Sequence, residues 1–486
     1  MDLALSLDRN STIPLYQQLA EELRGAVLQK RLKPNQQLPP SRLLAQSLDI
    51  SRVTVTQSYD QLVSEGYLET RKGSGTFVCA QLPEDYLQIE PIAQNSSPSS
   101  APTRLSQFGT QLLAGQALEG PCPQSAINFR YGNPASELFP MDLWRRLLTR
   151  HCSTSSSLMN YSADAAGYLP LRQAIADYLG RSRAVQCSPE QVIIVNGSQQ
   201  ALDLIARLTL DAGDWVAMED PGYLGARYCF AAQGANLQPI PVDEEGVDVA
   251  ALAQYPQSFK LLYVTPSHQF PTGVTLSLSR RLALLQWAQQ TGTLILEDDY
   301  DGEYRYGDRP IPALQGLDRN NTVIYVGTFS KILFPALRIG YLVVPKAWIP
   351  LVSRAKWLCD RQSPLLEQYA LADFFTEGHF DRHIRRMRHL YNQQRQALVN
   401  VLKESFDSRI TILGENAGIH LMAKLETPIP DEAVIQRAAS VDVGVISAQS
   451  YYLASPKTGE FIFGYAQLDE DQIQQGIQAL AQVLKA

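Results

Sequence analysis

Apolar side chains recur every four residues from Leu15 through Leu19 and Leu23 to Val27, which puts them on one face of a helix opened by Pro14. Pro34, Pro39 and Pro40 close that pattern. A second short helix is predicted over Ser41–Leu48 with Ser41 as its N-cap, and a third starts at Ser51 and turns Val55, Tyr59, Leu62 and Val63 inward. Only Asp49 and Ile50 separate these two, and short helices joined so tightly make a helix-turn-helix, whose second helix can enter a DNA major groove. After Gly66, the runs 67–71 and 76–78 flank Lys72-Gly73-Ser74-Gly75, predicting a β-hairpin with a glycine-rich turn. Helices followed by such a hairpin form a winged helix, an α+β unit.

From Ile127 onward the pattern changes. Strand-like apolar runs at 191–195, 215–218, 260–264, 293–296, 322–326 and 340–344 alternate with helical stretches. That alternation predicts an α/β sheet covered by helices on both faces, with ligands at the loops that follow the strands. Between the two patterns, residues 81–125 are rich in Pro and Ser and carry no sustained period beyond a short helix near residues 108–118. The expected division is residues 1–80, a linker over 81–125, and 126–486.

At 486 residues the length agrees with two or three domains. The composition, 45% apolar and 19% charged, is ordinary for a globular protein, and a net charge of −7 does not by itself suggest a nucleic-acid binder. The first 80 residues nevertheless reverse that sign with a slight excess of basic side chains. Cys79, Cys122, Cys152, Cys187, Cys229 and Cys359 lie far apart without a Cys-x-x-Cys pair, as expected of free thiols in a reducing compartment. No run approaches 18 apolar residues, and the start lacks a basic stretch followed by an apolar one, so a cytoplasmic protein is expected.

The candidate chemistry falls in both halves. Arg42, Ser51, Arg52, Thr54 and Gln57 on the helices, with Arg71 and Lys72 on the wing, are the residue types that contact phosphates and base edges. In the second half, Thr328, Ser330, Lys331 and Arg338 follow the run 322–326. An amine suits an aldehyde cofactor, and hydroxyls with a guanidinium suit its phosphate. Ser198 and Gln199 open a helix after Gly197, a seat for an anion, and Tyr223 ends another strand with a ring able to stack on a flat cofactor. The series Glu297-Asp298-Asp299-Tyr300-Asp301 crowds carboxylates that need a metal or a cationic partner, and a protonated pyridine nitrogen is such a partner. Lysine, phosphate seat, stacking ring and carboxylate together describe a pyridoxal 5'-phosphate site with no metal.

Leu38-Pro-Pro-Ser-Arg42, Leu44-Ala45, Ser51-Arg-Val-Thr-Val55, Tyr59-Asp-Gln-Leu62, Glu65-Gly-Tyr-Leu68 and Gly73-Ser-Gly-Thr-Phe77 resemble the winged-helix domain of GntR-family regulators. The resemblance implies that Arg42, Arg52 and Thr54 carry most of the DNA contact, with Lys72, Gly73 and Ser74 at the wing. Asn35 stands where that family usually has glycine, and asparagine tolerates the left-handed φ of such a turn.

Most of residues 126–486 resembles the fold type I aminotransferases. The resemblance implies that Lys331 is the Schiff-base lysine, Asp298 the partner of the pyridinium nitrogen and Tyr300 the donor to the cofactor's phenolic oxygen. It places Thr328, Ser330, Arg338, Ser198 and Gln199 around the phosphate, and Tyr223 on the ring. Tyr161 resembles the tyrosine that one subunit lends to its neighbour's phosphate site, which implies a dimer.

Two positions depart from that family. Phe270 precedes Pro271-Thr272-Gly273 where an asparagine normally bonds the cofactor, leaving His268 or Gln269 to replace it. The segment 460–466 lacks the arginine that usually forks onto a substrate carboxylate, leaving Arg227 and Arg130 as candidates. The two halves together resemble the MocR-type regulators. This implies a homodimeric, head-to-tail transcription factor that binds promoter DNA and senses a small amine, an amino acid or pyridoxal phosphate itself. The alternative is a genuine aminotransferase with an accessory DNA-binding domain.

Overall fold

In the first helix, α1 (Leu15–Leu28), the four-residue period buries Leu19, Leu23 and Val27 against Val55, Tyr59 and Leu62 of α3 (Arg52–Ser64), with α2 (Ser41–Leu48) between them in sequence adding Leu44 and Ala45. The computed structural model describes residues 5–9, 11–83, 104–114, 125–154, 160–161, 164–307 and 311–485, and it divides into two units, residues 1–104 and 105–486. Among the described residues no helix is long and apolar enough to cross a membrane. The stretch 91–102, the later part of the helix expected near 108–118, and Cys122 lie outside the described residues.

In the small unit, Ser51 caps α3 by accepting the Thr54 N–H at 3.1 Å. Ser41 does not cap α2. Pro40 holds the N-cap position with φ −50° and ψ 139°, and Ser41, one residue further on, is already helical. Its hydroxyl instead accepts the Arg52 Nε–H at 3.3 Å, tying the two helices together. The strands β1 (Leu68–Arg71) and β2 (Gly75–Val78) pair antiparallel from Leu68↔Val78 to Arg71↔Gly75 around a Lys72-Gly73-Ser74 tip. Asn35 takes the left-handed φ of 59° that its turn demands, and its side-chain oxygen accepts an Arg71 N–H at 2.7 Å.

The large unit is built on β3 (Val192–Val195), β4 (Trp215–Asp220), β5 (Asn236–Asp243), β6 (Gly246–Val247), β7 (Phe259–Val264), β8 (Leu294–Asp299), β9 (Val323–Thr328) and β10 (Gly340–Val343). They form one sheet in the order β3-β10-β9-β8-β7-β4-β5-β6, with β10 antiparallel to both neighbours and β9 through β5 mutually parallel. Each apolar run expected to be a strand is one. Successive residues face opposite sides: Ile194 and Tyr325 pack with Leu171 and Phe374, while Ile193 and Ile324 pack with Leu202 and Ile205. The strand hidden from sequence is β5, because Pro239 and Pro241 remove ladder donors. Most of its length is an edge, since the two-residue β6 pairs only with Val242 and Asp243.

Beyond the sheet, the 28-residue helix His379–Phe406 leads into a smaller antiparallel sheet of β11 (Ile410–Leu413), β12 (His420–Leu425), β13 (Ile446–Ser447) and β14 (Glu460–Gly464), ordered β11-β12-β14-β13. It brings His420, Tyr451 and Ile462 beside the loops that follow β7 and β8.

Because Asn35 holds φ 59°, Asn35→Val is expected to lower the unfolding free energy by about 1–2 kcal/mol, while Asn35→Gly stays within about 1 kcal/mol of the parent. Urea unfolding of the full chain, followed by a probe in the small unit, measures both.

Candidate functional site

On the small unit, Arg42, Arg52 and Gln57 are exposed. The Ser41 contact to Arg52 Nε leaves the rest of that guanidinium directed by two helices rather than one. Ser51 and Thr54 hydroxyls lie 2.9 Å apart, so both are engaged in the cap. Arg71 serves the hairpin itself. It pairs with Glu69 and Asn35 and lies 4.6 Å from the Phe77 ring centre, bracing the wing whose exposed tip is Lys72, Gly73 and Ser74.

In the large unit the end of β9 runs through Thr328 and Ser330 to Lys331, whose Nζ donates to the Gly132 carbonyl at 2.6 Å. Burial pulls the Lys331 ammonium pKa below its ordinary value, opposed by Asp301 and Asp298 and assisted by Arg338 and Arg130. The direction favours the neutral, nucleophilic amine.

Asp298, one residue before the end of β8, has Oδ2 accepting the Tyr263 hydroxyl at 2.9 Å and a buried Oδ1 that has no partner. Burial pushes this carboxyl up to about 7. An orphan oxygen on such an acid fits a protonated ring nitrogen, which would supply the missing charge. Its neighbours point elsewhere, as the two-residue strand period requires. Asp299 is paired with Arg183 at 2.6 Å and accepts the Tyr325 hydroxyl, while Glu297 accepts the N–H groups of Leu314 and Gln315.

The anion seat is equally defined. Gly197 has φ 81°, and a Cβ there would stand 2.7 Å from Arg338 Nη2, so only glycine lets the guanidinium lie against the start of helix Ser198–Thr209. Arg338, itself at φ 51°, donates to the Asn196 carbonyl at 2.9 Å. Ser330 Oγ is buried without a partner, and Thr328 Oγ1 accepts the Ser330 N–H at 3.2 Å. A helix N-terminus, a guanidinium and an unpartnered hydroxyl fit a phosphate. Gln199 donates to the Gly225 carbonyl, and a Cβ on Gly225 would meet both Gln199 and the Tyr223 ring at 2.6 Å, which places those two side chains together.

Tyr300 donates its hydroxyl to the His268 carbonyl at 2.9 Å and lies 3.1 Å from His268 Nδ1. His268 Nδ1 also meets Asp301 at 2.9 Å, and its buried Nε2 has no partner. Gln269 is spent on its own loop and the one that follows β4: Nε2 donates to the Phe270 and Pro221 carbonyls, and Oε1 accepts from Thr272. Phe270 packs against Tyr131, Tyr223, Tyr300, Tyr451 and His420. His420 is held well below its usual pKa by burial and stays neutral.

Arg227 donates to the Tyr452 carbonyl at 3.2 Å, and Arg130 is exposed. Tyr161 stands apart at 77% exposure, its ring 4.9 Å from the Arg361 guanidinium, and no described contact joins it to the Lys331 group. The residues that sequence reasoning missed are Tyr263, Tyr131, Arg183, His420 and Tyr451. Each arrives from an unrelated element, and no local pattern marks it.

Residues 15–78 match the model of bacterial regulatory proteins of the gntR family, and residues 126–480 match that of aminotransferase class I and II. The protein is thus a winged-helix DNA-binding regulator carrying an aminotransferase-fold domain that binds pyridoxal phosphate. It is 40% identical, over 98% of its length and 95% of the relative's, to the "probable rhizopine catabolism regulatory protein MocR" of Rhizobium meliloti. The pyridoxine biosynthesis regulator PdxR of Corynebacterium glutamicum is 30% identical over 97% of this chain and 96% of that one. The chain belongs to the MocR-type regulators of the GntR family. Among solved structures, the α-aminoadipate aminotransferase LysN of Thermus thermophilus, complexed with N-(5'-phosphopyridoxyl)-L-leucine, superposes with a TM-score of 0.69 at 30% identity, covering 79% of this chain and 95% of that one.

The raised Asp298 pKa gives a pH test. In the unfolded chain the group ionises near pH 4, so the stability its neutral form confers is full below about pH 4 and is lost as pH rises toward about 7. In cofactor-free protein the stability of the parent relative to Asp298→Asn should therefore fall across that window. Loading with pyridoxal phosphate should reduce the fall, as read by urea unfolding at each pH.

Proposed function

We propose that this regulator uses its pyridoxal phosphate site as a sensor, coupling occupancy by a small amine, an amino acid or pyridoxal phosphate itself to promoter binding in the cytoplasm. One observation carries the reading: 40% identity to a regulator spans 98% of the chain, both domains included. The geometry around Lys331 supports it.

In this reading Lys331 is the covalent attachment point and Asp298 faces the ring nitrogen through its orphan Oδ1. Tyr300 faces the phenolic oxygen, Tyr223 stacks on the ring, and Ser198, Gln199, Thr328, Ser330 and Arg338 hold the phosphate. When bound, the cofactor supplies an aldehyde carbon at which Lys331 and a ligand's primary amine compete. Burial lowers the Lys331 pKa, which favours its amine as the attachment point, and Asp298 would hold the cation of the ring nitrogen in place. Arg42, Ser51, Arg52 and Thr54 approach base edges and phosphates from the helices, and Lys72, Gly73 and Ser74 from the wing.

The active form is a head-to-tail homodimer presenting two winged helices to two half-sites, with exposed Tyr161 reaching the partner's phosphate site. Coupling requires that the ligand bind the two arrangements of the dimer with different affinity. Turnover as an aminotransferase is a second reading, favoured by 31% identity over 74% of this chain to the 2-aminoadipate transaminase of Thermus thermophilus.

Lys331→Ala is expected to abolish the visible absorbance of the cofactor-loaded protein and the response of DNA affinity to amines. Its ligand-free promoter affinity should stay within about twofold, since the two sites lie in separate units. Arg52→Ala should weaken promoter binding by roughly 1–3 kcal/mol without altering the absorbance. Sustained conversion of an amino donor and a keto acid would favour the enzymatic reading.

A further inference from the structure

Among the described residues, the side chains grouped beside Lys331 are mainly aromatic, with the charges of Arg338 and Arg130 also acting on its amine. Tyr131, next to the Gly132 carbonyl that accepts Lys331 Nζ, lies 4.9 Å from the Phe270 ring and shares a 2.6 Å hydroxyl contact with Tyr451. Phe270 in turn meets Tyr223 and Tyr300 edge-on at 5.9 and 6.2 Å. Tyr131, Tyr223 and Tyr300 are only half-buried, so their rings border accessible space.

The face that β14 turns toward this group is the deciding feature. Phe461 and Phe463 point into the C-terminal core, while Ile462, fully buried, packs with Phe270, Tyr451 and Tyr452. Two residues earlier on the same face, Glu460 is buried and accepts the Tyr452 hydroxyl at 2.6 Å. A carboxylate entering here would meet rings, an aliphatic side chain and a fixed carboxyl. Of the guanidiniums nearby, Arg227 donates one N–H to the Tyr452 carbonyl, Arg338 donates one to the Asn196 carbonyl at the phosphate seat, and Arg130 is exposed, which makes it the rival anchor for a carboxylate. Placing an anion against apolar surface without a bonded cation is strongly unfavourable.

We infer that the ligand sensed at Lys331 is a primary amine with an uncharged, apolar or aromatic remainder, and that Ile462 and Glu460 exclude α- and ω-amino acids. The inference rests on the sensor reading and narrows its ligand class. The amine reaches the Lys331 end of the site, and the remainder lies among Tyr131, Phe270 and Tyr451, where ring edges and faces receive it.

Matched probes test this on the cofactor-loaded full chain: phenethylamine against phenylalanine, and pentylamine against 5-aminopentanoate, followed by calorimetry and by the cofactor's absorbance. Each amine is expected to bind at least ~10-fold more tightly than its carboxylated counterpart, the discrimination expected of a site that leaves a charge unpaired. Ile462→Arg should shrink or invert that ratio. Because a buried arginine can prevent folding, Glu460→Gln serves as the milder variant, keeping an acceptor for Tyr452 while removing the charge, and should raise the carboxylated probes' affinity selectively. Equal or tighter binding of the amino acids by the parent, abolished in Arg130→Ala, overturns the inference and moves recognition to Arg130. Amine binding that persists unchanged in Lys331→Ala, or a chain without cofactor absorbance, sinks the sensor reading and this inference with it. Intact absorbance with a reversed probe preference sinks the inference alone.

Discussion

Burying Glu297, Asp298, Asp299 and Asp301 at the end of one central strand is the constraint on which the large domain depends. Four carboxyl groups in five residues repel one another, and each must find a donor, a cation or a proton. The two-residue period of β8 sorts them: Glu297 caps a backbone turn at Leu314 and Gln315, and Asp299 takes Arg183 and the Tyr325 hydroxyl. Asp301 takes His268. Asp298 and Asp299 each keep a buried Oδ1 without a partner, but Arg183 already balances the charge of Asp299. Asp298 has only the neutral Tyr263 hydroxyl, and its leftover valence fits the cofactor's ring nitrogen.

The neighbouring loops follow from the same accounting. His268 is positioned by Asp301 and in turn receives Tyr300, so Asp301 orders the residues around it. Close backbone approach is the other device. Gly418 at φ 75° admits the His268 ring where a Cβ would stand 2.0 Å from Cε1, and Gly197 admits the Arg338 guanidinium. Both contacts depend on the absence of a single carbon atom.

In the small domain the same logic is carried by capping and bridging. Ser51 and Thr54 close the start of the recognition helix on themselves, and Ser41 gives up the capping role expected of it to hold Arg52. Pro40 decides that exchange by occupying the cap position with an extended backbone. Arg71, one of the basic residues that sequence alone would send to DNA, is drawn into the hairpin by Glu69, Asn35 and Phe77.

Periodicity by itself determined both architectures, because spacings of four and two residues dictate which side chains can share a face, and the apolar runs of β3, β4 and β7 to β10 have no other stable use than a buried sheet. Motif residues such as Lys331, Asp298 and Arg338 were legible for the same reason: each sits at the end of a strong strand or beside a glycine turn. Three things were not legible. The strand β5 was masked by Pro239 and Pro241, whose missing donors are harmless only because the edge beside them is open. The difference between Asp298 and Asp299 depended on Tyr263 and Arg183, which lie 35 and 116 residues away in sequence. The aromatic group around Phe270 draws Tyr131, Tyr223, Tyr300 and Tyr451 from four separate segments. Local spacing fixes what a residue's own element can do, whereas partners are fixed by which elements the sheet brings together, and that only the tertiary structure decides.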